Sequence, residues 1–432
     1  MLEHLKRLWT RPAAGPSTLD LTDAWQQAHA HLVPFTEHLP LGPDLTRPCG
    51  LCGELGMPVA ARLQGGDGPW QQVEVTYCPH CQRFSLAPEQ QGPLAGLTPG
   101  TPLRIDARLW SGAPRVLNIE PTTRCNFSCW YCIGRSMPQQ DLSFEDFTQV
   151  LDHFPSLEAI AIVGEGEPIL NKQFFPMVQE AKRRGLYVMT LSNGSTFSTS
   201  VVEKILDSGV DYIGISIDSV RPDLFAASRL GGNLEQVWSN IDRLVRRRAE
   251  RGLHLPVLGL KGTLFRHTQD ELLDIVKAAK AHGLDALESF QPLNPKASYR
   301  AIYPTDKVPW LDELEPVKAA IDRAMPEALT VLPSVADRAF LISNQGRGNG
   351  RGPNCDEVWL YSLVSGDVTP CCQVKTPQYP SWNLLRNPVE RILADPDYER
   401  TRFNLWNGIF PSYCQDCYKT RPQAQTPDPA QS

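Results

Sequence analysis

From about residue 116 the chain alternates short β-branched, apolar runs with stretches in which apolar side chains recur every three or four positions. That pattern predicts repeated βα units and a parallel sheet. Six units can be counted, with strands reading VLNIEPT from Val116, EAIAIVGEG from Glu158, YVMTLSNG from Tyr187, YIGISIDS from Tyr212, PVLGLKGTLF from Pro256 and DALESFQPL from Asp285. Helical spacing separates them. In SFEDFTQVLDHF, Ser143 stands as an N-cap, with Asp146 three residues on and apolar residues after it. Six consecutive units fit either a doubly wound sheet or an incomplete barrel, and periodicity does not choose between the two.

Loop contents add a second layer. Distinctive residues collect just after strand ends: a cysteine triplet after the first, Gly164 to Pro168 at the second, Ser192 to Gly194 at the third, and Ser216 to Asp218 near the fourth. Parallel α/β folds bind ligands outside the carboxyl ends of their strands, so these loops are expected to line one site. A region of about 110 residues precedes the repeats. After them a helix is expected around Asp312 to Met325, then the loose GRGNGRGPN from Gly346 as a linker, and a polar, Pro-rich tail, TRPQAQTPDPAQS, expected to be disordered.

Composition narrows the class. Of 432 residues, 41% are apolar and 21% charged, and no apolar run approaches the roughly 18 residues that span a bilayer. With no charged-then-apolar start, the expectation is a cytoplasmic protein with no transmembrane segment. A net charge of −6 gives no general attraction to nucleic acid, and the run Arg246, Arg247 and Arg248 reads as the solvated side of a helix. The nine His form no H-E-x-x-H, and neither G-x-S-x-G nor a P-loop occurs, which leaves the familiar hydrolase and nucleotide-binding sets without candidates.

The twelve cysteines fall into three groups at metal-ligand spacings, so metal ligation is the better reading than disulfides. CGLC (Cys49, Cys52) and CPHC (Cys78, Cys81) flank the strand-like QQVEVTY and read as two knuckles of a zinc-ribbon or rubredoxin-like site, with Zn or a lone Fe open. A structural role is expected, stapling a small β-hairpin module that lacks a core of its own. The stretch CNFSCWYC places Cys125, Cys129 and Cys132 within eight residues, with Tyr131 directly ahead of the third cysteine. Three thiolates leave a tetrahedral site or a cubane cluster one ligand short, which creates an open coordination position.

At these residues the sequence resembles the radical S-adenosylmethionine (SAM) superfamily, whose signature is C-x3-C-x2-C with an aromatic before the last cysteine. The resemblance implies a partial (βα)6 barrel, a [4Fe–4S] cluster on the three cysteines, and SAM bound at the open iron. GEGEP, comprising Gly164, Glu165, Gly166, Glu167 and Pro168, looks like the family's GGEP-type motif, with Glu167 facing the SAM ammonium. Ser192, Asn193, Ser216 and Asp218 match strand-end positions that contact ribose or methionine carboxylate in the family. Cys355, Gly366 and Cys371 follow C-x10-G-x4-C, which resembles the opening of a SPASM domain. With Cys414 and Cys417 it implies one auxiliary [4Fe–4S] cluster in a shortened, twitch-like version; a four-thiolate zinc site is the other reading. Cys372 is left over, either a small core residue or a hydrogen-atom donor as in the family's epimerases.

The expected organisation is a metal-ribbon region over 1–112, the radical SAM barrel over 113–310, a helix and auxiliary-cluster domain over 311–420, and a tail over 421–432. The implied activity is reductive cleavage of SAM followed by hydrogen abstraction from a small molecule or sugar, giving oxidation, epimerisation or bond formation. A peptide maturase, a lipid carbon–carbon coupling enzyme and a metal-stapled binding protein are the alternatives. An electron donor such as flavodoxin or ferredoxin is the expected partner.

Overall fold

The structure, a computed structural model, describes residues 18–24, 47–53, 55–78, 81, 83–95, 101–107, 115–293, 314–334, 360–398 and 401. Cys355, Cys414, Cys417, the linker from Gly346 and the tail lie outside the described residues.

The N-terminal region forms an antiparallel sheet of β1 (Leu19–Asp20), β2 (Arg47–Pro48), β3 (Leu55–Gly65), β4 (Gln71–Cys78), β5 (Arg83–Leu86) and β6 (Leu103–Ala107). The order is β1-β5-β4-β3-β2, with β6 also on β3. It is larger than the hairpin expected. Leu63, Val75, Tyr77, Phe84, Leu86 and Ile105 are buried together, so the sheet has a core of its own, contrary to the expectation. The physical reason is β6: pairing Gly65 with Leu103 and Ala61 with Ala107 brings Ile105 onto the same apolar cluster from far along the chain.

The second sheet contains β7 (Val116–Ile119), β8 (Ala159–Ile162), β9 (Tyr187–Ser192), β10 (Tyr212–Ser216), β11 (Val257–Leu264) and β12 (Ala286–Pro292), all parallel and adjacent in sequence order. Alternation explains its two faces. In β8, Ile160 and Ile162 face the helices, while Ala159 and Ala161 join Val116, Met189 and Tyr212 on the inner face. This is the expected mixed α/β partial barrel.

Several connecting helices begin where the sequence supplies a cap. The Ser143 hydroxyl accepts from the Asp146 N–H at 3.0 Å to open Phe144–Asp152, and Asn233 accepts from Gln236 N–H at 2.9 Å to open Leu234–Glu250. Gly209, at φ 77°, ends Thr199–Ser208 in the left-handed conformation that glycine adopts freely. The later helix runs Leu314–Val331, past Pro326, so it extends beyond the expected end at Met325.

Beyond that helix, β13 (Leu360–Ser362) pairs in parallel with β7, and β14 (Val368–Thr369) pairs antiparallel with β13. The C-terminal segment thereby extends the barrel's own sheet. Trp382, Leu384, Val389 and Tyr398 belong to the same buried cluster as Leu117 and Phe147. No helix among the described residues is long and apolar enough to cross a membrane.

Candidate metal centres and cofactor site

The N-terminal cysteines are drawn into one group. Cys49 and Cys52 lie on the turn after β2, while Cys78 ends β4 and Cys81 follows it. Cys49 Sγ is 3.8 Å from Cys81 Sγ, and Cys52 Sγ is 3.6 Å from Cys78 Sγ. A tetrahedral ion with arms of about 2.3 Å to sulfur has edges of about 3.8 Å, so these four thiols have the spacing of a closed, single-ion site. Burial raises the pKa of Cys78 and Cys81; Cys49 is held below its ordinary range, because backbone N–H groups including that of Leu51, 3.4 Å away, outweigh its burial.

Cys125, Cys129 and Cys132 sit on the loop leaving β7. Among the described residues the N-terminal four are the group gathered tightly enough for a single ion. Burial comes first among the causes that raise all three thiols above their ordinary range, and the Glu165 carboxylate adds to it at Cys132. A metal centre is what would convert such buried thiols to thiolates. The donor set therefore fits the cluster the sequence implies.

The GEGEP loop closes against the cysteine loop by its backbone. Glu167 N–H donates to Arg124 O at 2.8 Å. A Cβ on Gly166 would fall 2.5 Å from the carbonyl oxygens of both Thr122 and Arg124, so only glycine permits this approach. Glu167 is 2% exposed; its carboxylate accepts from the Ser192 hydroxyl at 2.9 Å and the Asn193 N–H at 2.8 Å. Burial outweighs these neutral donors and pushes its pKa up to about 7. Asn193 also donates to Asn126 Oδ1 at 3.0 Å, joining the third strand end to the cysteine loop.

A second cluster surrounds Asp218, which is fully buried. It accepts from the Tyr131 hydroxyl at 2.6 Å, from Arg229 in a bidentate pair at 2.8 and 3.0 Å, and from Thr263 N–H at 2.9 Å. Tyr131, Trp130 and Phe265 pack mutually with ring centroids 5.0–5.4 Å apart. The aromatic pair ahead of Cys132 thus walls the site while its phenol locks onto the fourth strand end.

Residues 119–264 match the profile of the Radical SAM superfamily. This stretch is a radical SAM domain. Around it the chain is 29% identical to the tungsten-containing aldehyde ferredoxin oxidoreductase cofactor-modifying protein of Pyrococcus furiosus, over 46% of this chain and 59% of that one. It is 31% identical to the GTP 3',8-cyclase of Marinobacter nauticus, over 39% and 51%. The chain thus spans little more than half the length of these curated relatives. Among solved structures, Streptococcus suis SuiB bound to S-adenosylmethionine aligns with a TM-score of 0.50 at 15% identity, covering 72% of each chain. The structure of anSMEcpe with bound AdoMet aligns at 0.52 and 15%, covering 72% of this chain and 92% of that one. These likenesses show the fold. Members of the superfamily are enzymes.

Within the radical SAM domain the structure gathers the sequence candidates into two groups, Glu167 with Ser192 and Asn193, and Tyr131 with Asp218. Ser216 stands apart from both, in register with Lys261 of β11. Cys371 and Cys372 follow β14, and Cys372 adds to the charges that keep Lys375 protonated. Sequence reading missed Arg229, Glu120, Tyr361 and Lys375. Glu120 alone carried a signal, as a carboxylate directly after the fully buried VLNI strand.

Proposed function

We propose that this protein is a radical SAM enzyme that reductively cleaves SAM and abstracts a hydrogen atom from a C–H bond of a small molecule or sugar. The observation that carries the reading is the convergence of the three-cysteine loop, GEGEP and the third and fourth strand ends at one mouth of a partial barrel. Cys125, Cys129 and Cys132 would hold a [4Fe–4S] cluster. With cluster and SAM bound, the chemistry supplied would be one-electron reductive cleavage of SAM and hydrogen abstraction from the substrate, with methionine and 5'-deoxyadenosine as the products of SAM.

The chain's own residues bind and enclose. Glu167, once ionised, is suited to accept from the SAM ammonium, and the backbone of Gly164, Glu165 and Gly166 gives it room. Ser192 and Asn193 hold that carboxylate in place, and Ser216 offers a hydroxyl on the inner face. Tyr131, pinned by Asp218 and packed on Trp130 and Phe265, keeps water off one side. Cys355, Cys371, Cys414 and Cys417 are the proposed ligands of one auxiliary [4Fe–4S] cluster, which would take an electron if the product step is an oxidation; in an epimerisation Cys372 would return the hydrogen atom. A flavodoxin- or ferredoxin-type donor would supply the first electron. The N-terminal four cysteines hold zinc, or iron, in this reading.

The test is anaerobic reconstitution, counting metal and sulfide, then adding SAM and dithionite. The expected result is about eight Fe and one Zn per chain and 5'-deoxyadenosine that disappears when Cys125, Cys129 and Cys132 are all replaced by Ala. No iron and no SAM cleavage would overturn the reading.

A further inference from the structure

A buried ion cluster joins the GEGEP loop to Glu120, Tyr361 and Lys375, three residues that belong to no motif. The Lys375 ammonium is 2.8 Å from Glu120 Oε1 and 2.9 Å from Glu165 Oε1, and donates to the Tyr361 hydroxyl at 2.6 Å. That hydroxyl donates in turn to Glu120 Oε1 at 2.6 Å. The Lys375 side chain is 6% exposed and that of Glu120 is fully buried. Burial works against the ammonium, but Glu165, Tyr361 and Glu120 outweigh it and hold its pKa well above the ordinary lysine range, so it is charged. All three of its N–H donors have a partner.

The four members come from four places: the end of β7, the GEGEP loop, β13, and the turn just after Cys371 and Cys372. Backbone contacts bring them together, since Glu120 N–H donates to Ser362 O at 2.9 Å and β13 pairs with β7. Gly164 makes room, because a Cβ there would fall 2.7 Å from Glu120 Cγ. Glu165 then reaches on to the cluster loop, accepting from the Cys132 thiol at 3.3 Å. One lysine stands between two buried carboxylates, and the Arg135 guanidinium acts on Glu165 as well. Such a group costs desolvation that an apolar cluster of the same volume avoids, and fixing a register is the best-attested use of one.

We propose that Lys375 is a positioning residue: it seats the segment bearing Cys371 and Cys372 on the barrel's cysteine loop and, through Glu165, sets the charge beside the cluster ligand Cys132. This rests on the radical SAM reading above. Net charge and hydrogen bonds at the sulfurs set the potential of an iron–sulfur cluster, so each member has a signed effect. Removing the cation favours the oxidised cluster; removing the Glu165 charge favours the reduced one.

The experiment is a redox titration of the reconstituted full chain, followed by electron paramagnetic resonance of the reduced cluster on the three cysteines. It compares wild type with Lys375→Gln and Glu165→Gln, with hydrogen–deuterium exchange over residues 360–384 alongside. Lys375→Gln is expected to move the midpoint to a more negative potential and to speed exchange in that segment. Glu165→Gln, which leaves Lys375 its contacts with Glu120 and Tyr361, is expected to move the midpoint the opposite way. Any other pattern in the two potentials overturns the proposal. If Lys375→Gln does not take up a cluster, Glu165→Gln decides alone: a positive shift supports the proposal and no shift overturns it. A wild-type chain that binds no cluster would instead sink the functional reading itself.

Discussion

Glu167 and Asp218 are both buried carboxylates at strand ends, yet their partners differ in kind. Asp218 faces a guanidinium, whereas Glu167 has only neutral donors, and burial therefore dominates it. The consequence is a pH dependence of defined sign. Its pKa is up at about 7 in the fold, against about 4.3 for an unperturbed Glu, so folding takes up a proton between those values. The protein without SAM is expected to lose stability as pH rises from about 4.5 to 7, by on the order of 3 kcal/mol, and Glu167→Gln should flatten that slope in melting temperature against pH. SAM affinity should run the other way, strengthening as Glu167 ionises, and should fall at least tenfold in Glu167→Gln by equilibrium dialysis. For Asp218→Ala the expected effect is structural: it strands the buried Arg229 and should cost about 3–5 kcal/mol in denaturant unfolding. Sequence pointed to both carboxylates by their place after strands. It could not name Arg229, because the partner sits at the end of a short helix eleven residues on, where an arginine before two glycines reads as a solvated turn.

Elements were legible where periodicity was long and illegible where it was short. The six parallel strands announced themselves as short, largely buried apolar runs, and in AIAI of β8 the alternation of Ile outward with Ala inward is plain. Strand β13 did not, because the three residues LYS carry no period, and the pairing with β7 joins positions more than two hundred apart. The loops between elements follow a different rule, set by backbone clearance. Gly166→Ala would push a methyl group into two carbonyl oxygens and should lower iron uptake on the three cysteines, with about 1–3 kcal/mol of overpacking cost. Gly92→Ala, where a Cβ meets nothing within 4 Å, is the control, and its iron content should equal wild type. Equal iron in both variants would show that the close approach of GEGEP to the cysteine loop does not shape the site.

At the scale of the whole molecule, the described residues place an apolar core in the N-terminal sheet and a far larger one shared by the barrel, its helices and the C-terminal segment. The six-stranded sheet was under-read because only QQVEVTY has a clean strand pattern, while β6 lies 25 residues beyond it and joins by tertiary pairing. Among the described residues nine are buried in this core, and such a sheet gains much from a metal that ties β2 to β4. Cys52 is the test position, since it is exposed and its replacement removes a ligand without cutting a hole in the core. Cys52→Ser in the full chain should lose one equivalent of metal and speed hydrogen exchange across residues 55–107. Exchange across 116–293 and 5'-deoxyadenosine formation should stay as in wild type, because the barrel's core holds together without that sheet. If barrel exchange or SAM cleavage fell in step with the lost metal, the ribbon would be serving the radical site itself, and its four cysteines would have to be counted into the mechanism.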